Sequence, residues 1–113
     1  MWRVRWSEGF RLSVYDYLGK KNWGNVKRFL KELEKSLNTD PEMIIRLKRN
    51  PVVFEYRWVR RRRGLIILVH VRRMYYRGTE YRMYYVIYED IERIWFVGFE
   101  PRTNSTYKKK TLC

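Results

Sequence analysis

Arginine and aromatic side chains alternate over one acid-free stretch of this sequence. Between Tyr56 and Thr79 there is no carboxylate, but there are eight arginines: Arg57, Arg60, Arg61, Arg62, Arg63, Arg72, Arg73 and Arg77. Tyr56, Trp58, Tyr75 and Tyr76 lie among them. Guanidinium groups bind phosphate through paired hydrogen bonds, and aromatic rings stack on unpaired bases. The stretch therefore predicts a polyanion-binding surface, most naturally for nucleic acid. The alternative is a solvated hairpin tip whose aromatic residues pack against a sheet.

Other kinds of chemistry have little support in the sequence. His70 is the only histidine and Cys113 the only cysteine, so the usual nitrogen and sulfur ligand sets for a metal are absent. A terminal cysteine is also poorly placed to hold the near-attack geometry that nucleophilic catalysis needs. The six glycines are dispersed and form no phosphate-binding loop. We therefore predict no metal and no cofactor.

The charge balance extends this interpretation to the whole chain. The 113 residues contain 26 Lys and Arg against 12 Asp and Glu, which gives a formal net charge of +14. Such an excess favours a polyanionic partner. The longest apolar run is Leu65 to Val69, far short of the roughly 18 residues that span a bilayer. We expect a cytoplasmic protein with no membrane partner, built as a single domain over residues 1–113 with a basic tail from about 103 to 113.

The hydrophobic periodicity predicts an α+β fold. Alternating residues at 2–6 are typical of a strand, Ser7 can cap a helix that ends at Gly19, and Asn22 can cap a second helix. Residues 39–42 match a capping box for a short helix that runs to about Arg49. Beyond Pro51 the pattern predicts strands at 52–60, 65–76, 81–88 and 91–99, joined as an antiparallel meander with the helices on one sheet face.

The last third of the chain resembles a known family. Residues 80–88 (Glu-Tyr-Arg-Met-Tyr-Tyr-Val-Ile-Tyr) resemble the "YR-x-x-Y" strand of RelE/ParE-type bacterial and archaeal toxins. Residues 91–98 resemble their last long strand, and residues 101–108 their closing basic and tyrosine-containing segment. The order of elements agrees over the whole chain. The resemblance implies a RelE-like fold, in which a strand and a helical hairpin pack on one face of an antiparallel sheet, here with an extra short helix and an extra strand.

The resemblance also implies roles for individual residues. RelE-like members are ribosome-dependent endoribonucleases that cut mRNA, whereas ParE-like members poison DNA gyrase. In the RelE pattern Arg82 grips the scissile phosphate, Arg102 is a transition-state cation and Tyr107 orients the reacting nucleotide. The preceding strand normally supplies basic residues, where this chain has His70 and Arg72 on one face and Arg73 on the other. The usual lysines are absent and arginine is a poor base, so His70 is the candidate general base.

The leading hypothesis is thus a RelE-like toxin that cleaves mRNA on the ribosome and is neutralised by an acidic antitoxin protein. The alternatives are a non-catalytic RNA- or ribosome-binding module on the same fold, and a ParE-like inhibitor of a topoisomerase. The candidate catalytic residues are Arg82, Arg102, Tyr107, Arg72 and His70. The candidate RNA-binding residues are Arg60, Arg61, Arg62, Arg63, Arg73, Arg77, Lys108, Lys109 and Lys110.

Overall fold

The computed structural model describes residues 1–59 and 62–102, with the backbone alone for residues 53–59 and 62–68. It is an α+β fold in which three helices pack on a five-stranded sheet. The elements are β1 (Arg3–Trp6), α1 (Glu8–Leu18), a 3₁₀ turn (Lys20–Asn22), α2 (Trp23–Thr39), α3 (Glu42–Arg49), β2 (Val52–Val59), β3 (Arg62–Tyr76), β4 (Thr79–Tyr88) and β5 (Arg93–Pro101). No helix in the described ranges is long and apolar enough to cross a membrane.

Helix α1 begins after Ser7 and ends at Gly19, and helix α2 begins after Asn22, as the sequence predicts. The Ser7 hydroxyl accepts a hydrogen bond from the Phe10 amide (3.1 Å), and the helix ends at Gly19, whose φ of 88° suits glycine. Helix α2 buries apolar residues on the side that meets the sheet: Val26, Leu30, Leu33 and Leu37. Its charged residues lie on the opposite side, as expected for an amphipathic helix.

The other two predicted caps differ from the structure. Asn22 makes no capping hydrogen bond; its amide donates to the Leu18 carbonyl, and its carbonyl oxygen accepts from the Tyr76 hydroxyl (2.9 Å). Helix α2 continues through Thr39, whose hydroxyl donates to a carbonyl one turn back, so Thr39 does not cap α3. Asp40 instead accepts from the Glu42 amide (2.9 Å). These side chains found tertiary or intrahelical partners that a local motif does not reveal.

The sheet is mixed rather than purely antiparallel. Strands β2 to β5 form the predicted antiparallel meander, in the order β1-β5-β4-β3-β2. Strand β1 lies at the other edge and pairs in parallel with β5, from Arg3 opposite Arg93 to Trp6 opposite Phe96. The expectation of an antiparallel sheet is therefore wrong at this edge, because the helices carry the chain across the sheet between β1 and β2. Strand β3 also starts at Arg62, three residues before the predicted strand at 65–76.

The two faces of the sheet carry different clusters. On the helix-covered face, residues of α1 and α2 such as Phe10 and Leu30 pack against Met83, Tyr85 and Phe96. The opposite face, which we call the distal face, carries a second buried cluster made of Val69, Val71, Tyr84, Val86 and Val97, with Trp95 packed against it. Because side chains alternate along a strand, every second residue of β4 and of the 69–76 part of β3 belongs to the distal face.

A β-bulge interrupts the pairing of β4 with β5. Tyr84 pairs with Gly98, whereas the next residue, Tyr85, pairs with Phe96. Val97 is therefore an extra residue in β5, and a bulge of this kind bends the strand locally. After the bulge, Glu100 lies opposite Arg82 on β4.

Candidate functional site

A cluster of charged side chains lies on the distal face, near the start of β4 and the end of β5. One carboxylate oxygen of Glu80, Oε2, lies 3.1 Å from Arg82 Nη2 and 3.7 Å from Arg102 Nε. The other, Oε1, accepts a hydrogen bond from the Tyr75 hydroxyl (2.8 Å). We call Glu80, Arg82, Arg102, Tyr75 and the neighbouring Arg73 the Glu80 cluster.

Strand register brings these residues together. Tyr75 and Arg73 of β3 lie opposite Glu80 and Arg82 of β4, so the four side chains form two adjacent cross-strand pairs. The Arg102 amide donates to the Glu80 carbonyl (2.9 Å), which continues the β4–β5 ladder to the end of the described chain. The site is thus built on three neighbouring strands rather than on a loop, which fixes its geometry.

The members of the cluster differ in exposure. The Arg82 side chain is 4% exposed and that of Glu80 is 11% exposed, whereas Arg102 is 63% exposed. Arg73 and Tyr75 are exposed. Arg82 is therefore an enclosed cation held against the carboxylate, and the cations that an incoming anion meets first are Arg102 and Arg73.

The surroundings keep Glu80 ionised. Hydrogen bonding from Tyr75, followed by the charges of Arg82, Arg102 and Arg73, holds the pKa of the Glu80 carboxyl below its ordinary value, although burial opposes the shift. A second carboxylate, Glu100, lies opposite Arg82 and accepts from the Tyr84 hydroxyl (2.7 Å). Three arginines against two glutamates leave the site with a formal charge of +1.

His70 and Arg72 lie on the other side of the sheet. The His70 ring is 8% exposed, stacks on Tyr85 with 5.2 Å between ring centroids, and has Nδ1 3.2 Å from the Asn50 carbonyl oxygen. The Arg72 guanidinium lies over the Phe29 ring of α2 (5.3 Å), and burial lowers the pKa of this side chain. The structure therefore does not bring His70 and Arg72 together with Arg82 and Arg102, because the sheet separates the two pairs.

The remaining predicted residues fall into three groups. Arg73 belongs to the Glu80 cluster, and Arg77 is exposed at the β3–β4 turn with its guanidinium over the Tyr76 ring (5.2 Å). Arg62 and Arg63 lie in β3, where the structure describes the backbone alone. The predictions for Arg60, Arg61, Tyr107, Lys108, Lys109 and Lys110 fall outside the described residues.

Sequence reasoning gave Glu80 no role in the site, and it placed Tyr75 only among the aromatic residues of the basic stretch. The available signal was the spacing of Glu80 and Arg82, since residues two apart on a strand share a face. Tyr75 could not be assigned without the β3–β4 register. In the described part of the chain, no group of three or more His, Cys, Asp or Glu side chains could hold a metal ion.

Comparison of the chain with known proteins gives no match: no family model, no curated protein and no solved structure matches it. The fold and the site together define an α+β protein that presents an arginine–glutamate cluster on the distal face of a mixed sheet.

Proposed function

We propose that this protein is a RelE-like endoribonuclease that binds RNA on the distal face and cleaves it at the Glu80 cluster. The observation that carries the proposal is the position of the Glu80 carboxylate among Arg73, Arg82 and Arg102 on a protein of net charge +14. Arginines supply attraction for the phosphodiester, and the carboxylate supplies a proton acceptor next to it.

The proposed reaction is attack by the RNA's own 2′-hydroxyl. Glu80 accepts the 2′-hydroxyl proton while the 2′-oxygen forms a bond to phosphorus. The bond from phosphorus to the 5′-oxygen breaks, which leaves a 2′,3′-cyclic phosphate and a 5′-hydroxyl end. The Tyr75 hydroxyl, already hydrogen-bonded to Glu80, gives its proton to the leaving oxygen and regains one from the carboxyl group.

The arginines have separate tasks in this scheme. Arg102 and Arg73 are exposed and bind the non-bridging phosphate oxygens, whose negative charge grows in the pentavalent transition state. Arg82 is enclosed against Glu80, so it orients the carboxylate and keeps it ionised. Arg82 therefore acts here as a positioning residue, whereas the family resemblance gives it a direct grip on the phosphate.

The proposal includes the partners predicted from the sequence. We propose mRNA on the ribosome as the substrate, an acidic antitoxin protein as the inhibitor that covers the cationic surface, and the cytoplasm as the location. Charge complementarity with a +14 protein supports both kinds of partner. Arg60, Arg61, Arg62, Arg63, Arg77, Lys108, Lys109 and Lys110 are proposed to contribute to RNA binding.

A non-catalytic RNA- or ribosome-binding module is the second candidate. It is favoured by the position of His70, the only histidine, which is stacked on Tyr85 on the helix-covered face and cannot reach a phosphate bound beside Arg102. In that case the same arginines bind RNA, and Glu80 serves only to hold Arg82 in place.

Cleavage mapping on translating ribosomes and on free RNA tests the choice. If the protein is an endoribonuclease, the RNA fragments should carry a 2′,3′-cyclic phosphate end. The cleavage should be lost in Glu80→Gln and in Arg102→Ala. Arg49→Ala is the matched control, because it removes one exposed charge from α3, on the opposite side of the sheet from the cluster. Binding without cuts in the wild type would favour the module. Inhibited DNA supercoiling with intact mRNA would overturn both candidates.

A further inference from the structure

A row of basic side chains runs along the outer surface of α2, on the side of the molecule opposite the Glu80 cluster. It consists of Lys27, Arg28, Lys31 and Lys35, and we call it the α2 stripe. Lys27, Lys31 and Lys35 are spaced four residues apart, so they follow one side of the helix, with Arg28 beside them. The buried residues Val26, Leu30, Leu33 and Leu37 occupy the opposite side.

In the part of the chain that the structure describes, the cations of the α2 stripe form no ion pairs. Within the described residues, no carboxylate lies within 4.0 Å of any of the four. Some cations on other elements are paired: Arg46 with Asp40 (3.4 Å), Lys48 with Glu89, and Arg11 with Glu8 (2.5 Å). The stripe therefore keeps its full positive charge for an external anion.

The two acids of α2 are turned to its flanks. Glu34 accepts from the Val4 amide (2.8 Å) and lies 3.8 Å from Arg5 at the sheet edge. Glu32 lines a cavity of about 210 Å³ on the other flank, together with Arg72. Glu34 is thus engaged at the sheet edge, whereas Glu32 is exposed one turn from Arg28 and Lys35, so the stripe presents four cations beside one exposed carboxylate.

The α2 stripe suits a nucleic-acid backbone better than unpaired bases. The aromatic residues of α2 point elsewhere, since Trp23 packs against Trp6 and Phe10, and Phe29 lies under Arg72. Both aromatic residues of α2 are half-buried in these contacts, so the helix offers no exposed ring on which a base could stack. A rigid helix presents cations at fixed intervals of about 6 Å, which matches a regular array of phosphates rather than a flexible strand.

We propose that the α2 stripe is a second RNA-binding surface, which holds the phosphate backbone of double-stranded RNA. The inference rests on the proposed function in taking RNA as the ligand. It adds that one molecule contacts a duplex on its helical side and the strand to be cleaved on the distal face. Two contacts on one folded RNA reinforce each other through effective concentration.

Binding of a blunt RNA duplex of about 16 base pairs tests the proposal, because such a duplex offers shape and phosphates but no single strand. The variant is Lys27→Gln/Lys31→Gln/Lys35→Gln in the full chain. The matched control is Arg46→Gln/Lys48→Gln/Arg49→Gln on α3, which removes the same charge from exposed positions. Glutamine is a good helix former, and far-ultraviolet circular dichroism verifies that both proteins keep their helices.

We expect the α2 variant to bind the duplex about 10-fold to 100-fold more weakly near 0.15 M salt, with a salt slope lower by about 0.9 for each lost phosphate contact. The α3 control should change the dissociation constant by less than about 3-fold, because two of its three cations are already paired. Equal losses in the two variants would overturn the proposal in favour of net charge alone. Unchanged duplex binding, with weaker binding to vesicles containing phosphatidylserine, would overturn it in favour of a membrane surface.

The same proteins separate this inference from the proposed function. The α2 variant should keep whatever cleavage the wild type shows on a short single-stranded RNA, since that substrate needs only the distal face. If the wild type cuts no RNA but duplex binding depends on the α2 stripe, the nuclease proposal fails and the second surface stands. If the wild type cleaves RNA but the α2 variant binds the duplex as well as the wild type does, the proposed second surface is wrong and the nuclease proposal stands.

Discussion

Arg82 Nη2 lies 3.1 Å from Glu80 Oε2, and both side chains are largely enclosed on the distal face of the sheet. The two residues are separated by one position on β4, so an ordinary strand places them side by side without any special backbone. Exposed ion pairs contribute little to stability, but an enclosed pair fixes the orientation of its members. This pair therefore sets the direction in which Glu80 presents its carboxylate.

Glu80→Gln should separate binding from cleavage. The amide is similar in size but cannot accept a proton, so we expect the cleavage rate to fall by about 100-fold or more. RNA affinity should be kept or increased, because a negative charge is removed from beside three arginines. Single-turnover cleavage and fluorescence anisotropy measure the two quantities. Glu42→Gln, at an exposed site on α3, should change neither; a normal cleavage rate in Glu80→Gln would eliminate Glu80 as the base.

The pH dependence of cleavage should reflect the lowered pKa of Glu80. The carboxylate must be ionised to accept a proton, so activity should persist to a pH below the ordinary glutamate range and fall as Glu80 is protonated. Tyr75→Phe removes the proposed general acid, so the cleavage rate should fall at every pH. It also removes the largest cause of the shift, so it should raise the pKa of Glu80 and move the acid limb of the remaining pH–rate profile to higher pH. An unmoved acid limb in Tyr75→Phe would show that a different group titrates.

His70→Ala should reduce stability without altering the chemistry. The ring fills space against Tyr85 and lies beside the Asn50 carbonyl, so its loss should lower the free energy of unfolding by about 1–3 kcal/mol. Denaturant titration measures the loss. Cleavage per folded molecule should be unchanged below the unfolding transition, and a 100-fold fall in that rate would restore His70 as a participant.

Two glycines should respond oppositely to alanine. Gly19 has a φ of 88° at the end of α1, where a side chain is strained, so Gly19→Ala should destabilise the fold by about 1 kcal/mol or more. Gly24 lies inside α2 with nothing within 4 Å of an added Cβ, and Gly24→Ala should stabilise the fold by about 0.4–1 kcal/mol. Thermal unfolding of the two variants gives the sign of each change in stability. Changes of the same sign would contradict the assigned end of α1.

Local patterns predicted the elements well because each one depends on residues close in sequence. The 3.6-residue spacing of Leu30, Leu33 and Leu37 determines which side of α2 is buried, and Ser7 marks the start of α1. The alternation in β3 correctly placed His70 and Arg72 on one face. It could not tell which face the helices would cover, since that depends on how α2 packs across the sheet.

The parallel pairing of β1 with β5 and the membership of Tyr75 in the Glu80 cluster depend on distant contacts. Arg3 and Arg93 are adjacent in the sheet although 90 residues separate them in the chain. No turn or periodic signal encodes such a pairing. The arginines of the site were found from the resemblance and from charge, whereas the carboxylate that organises them required the three-dimensional register.

The extra residue Val97 determines on which face of the sheet the later residues of β5 lie. Trp95 and Val97 belong to the distal face, so uninterrupted alternation would send residues 99 and 101 there and turn Glu100 and Arg102 toward the helices. The bulge reverses that assignment within a single peptide unit. A regular strand that kept Val97 within the alternation would exchange the faces of Phe99 and Glu100, and would dismantle a charged site without altering any of its charges.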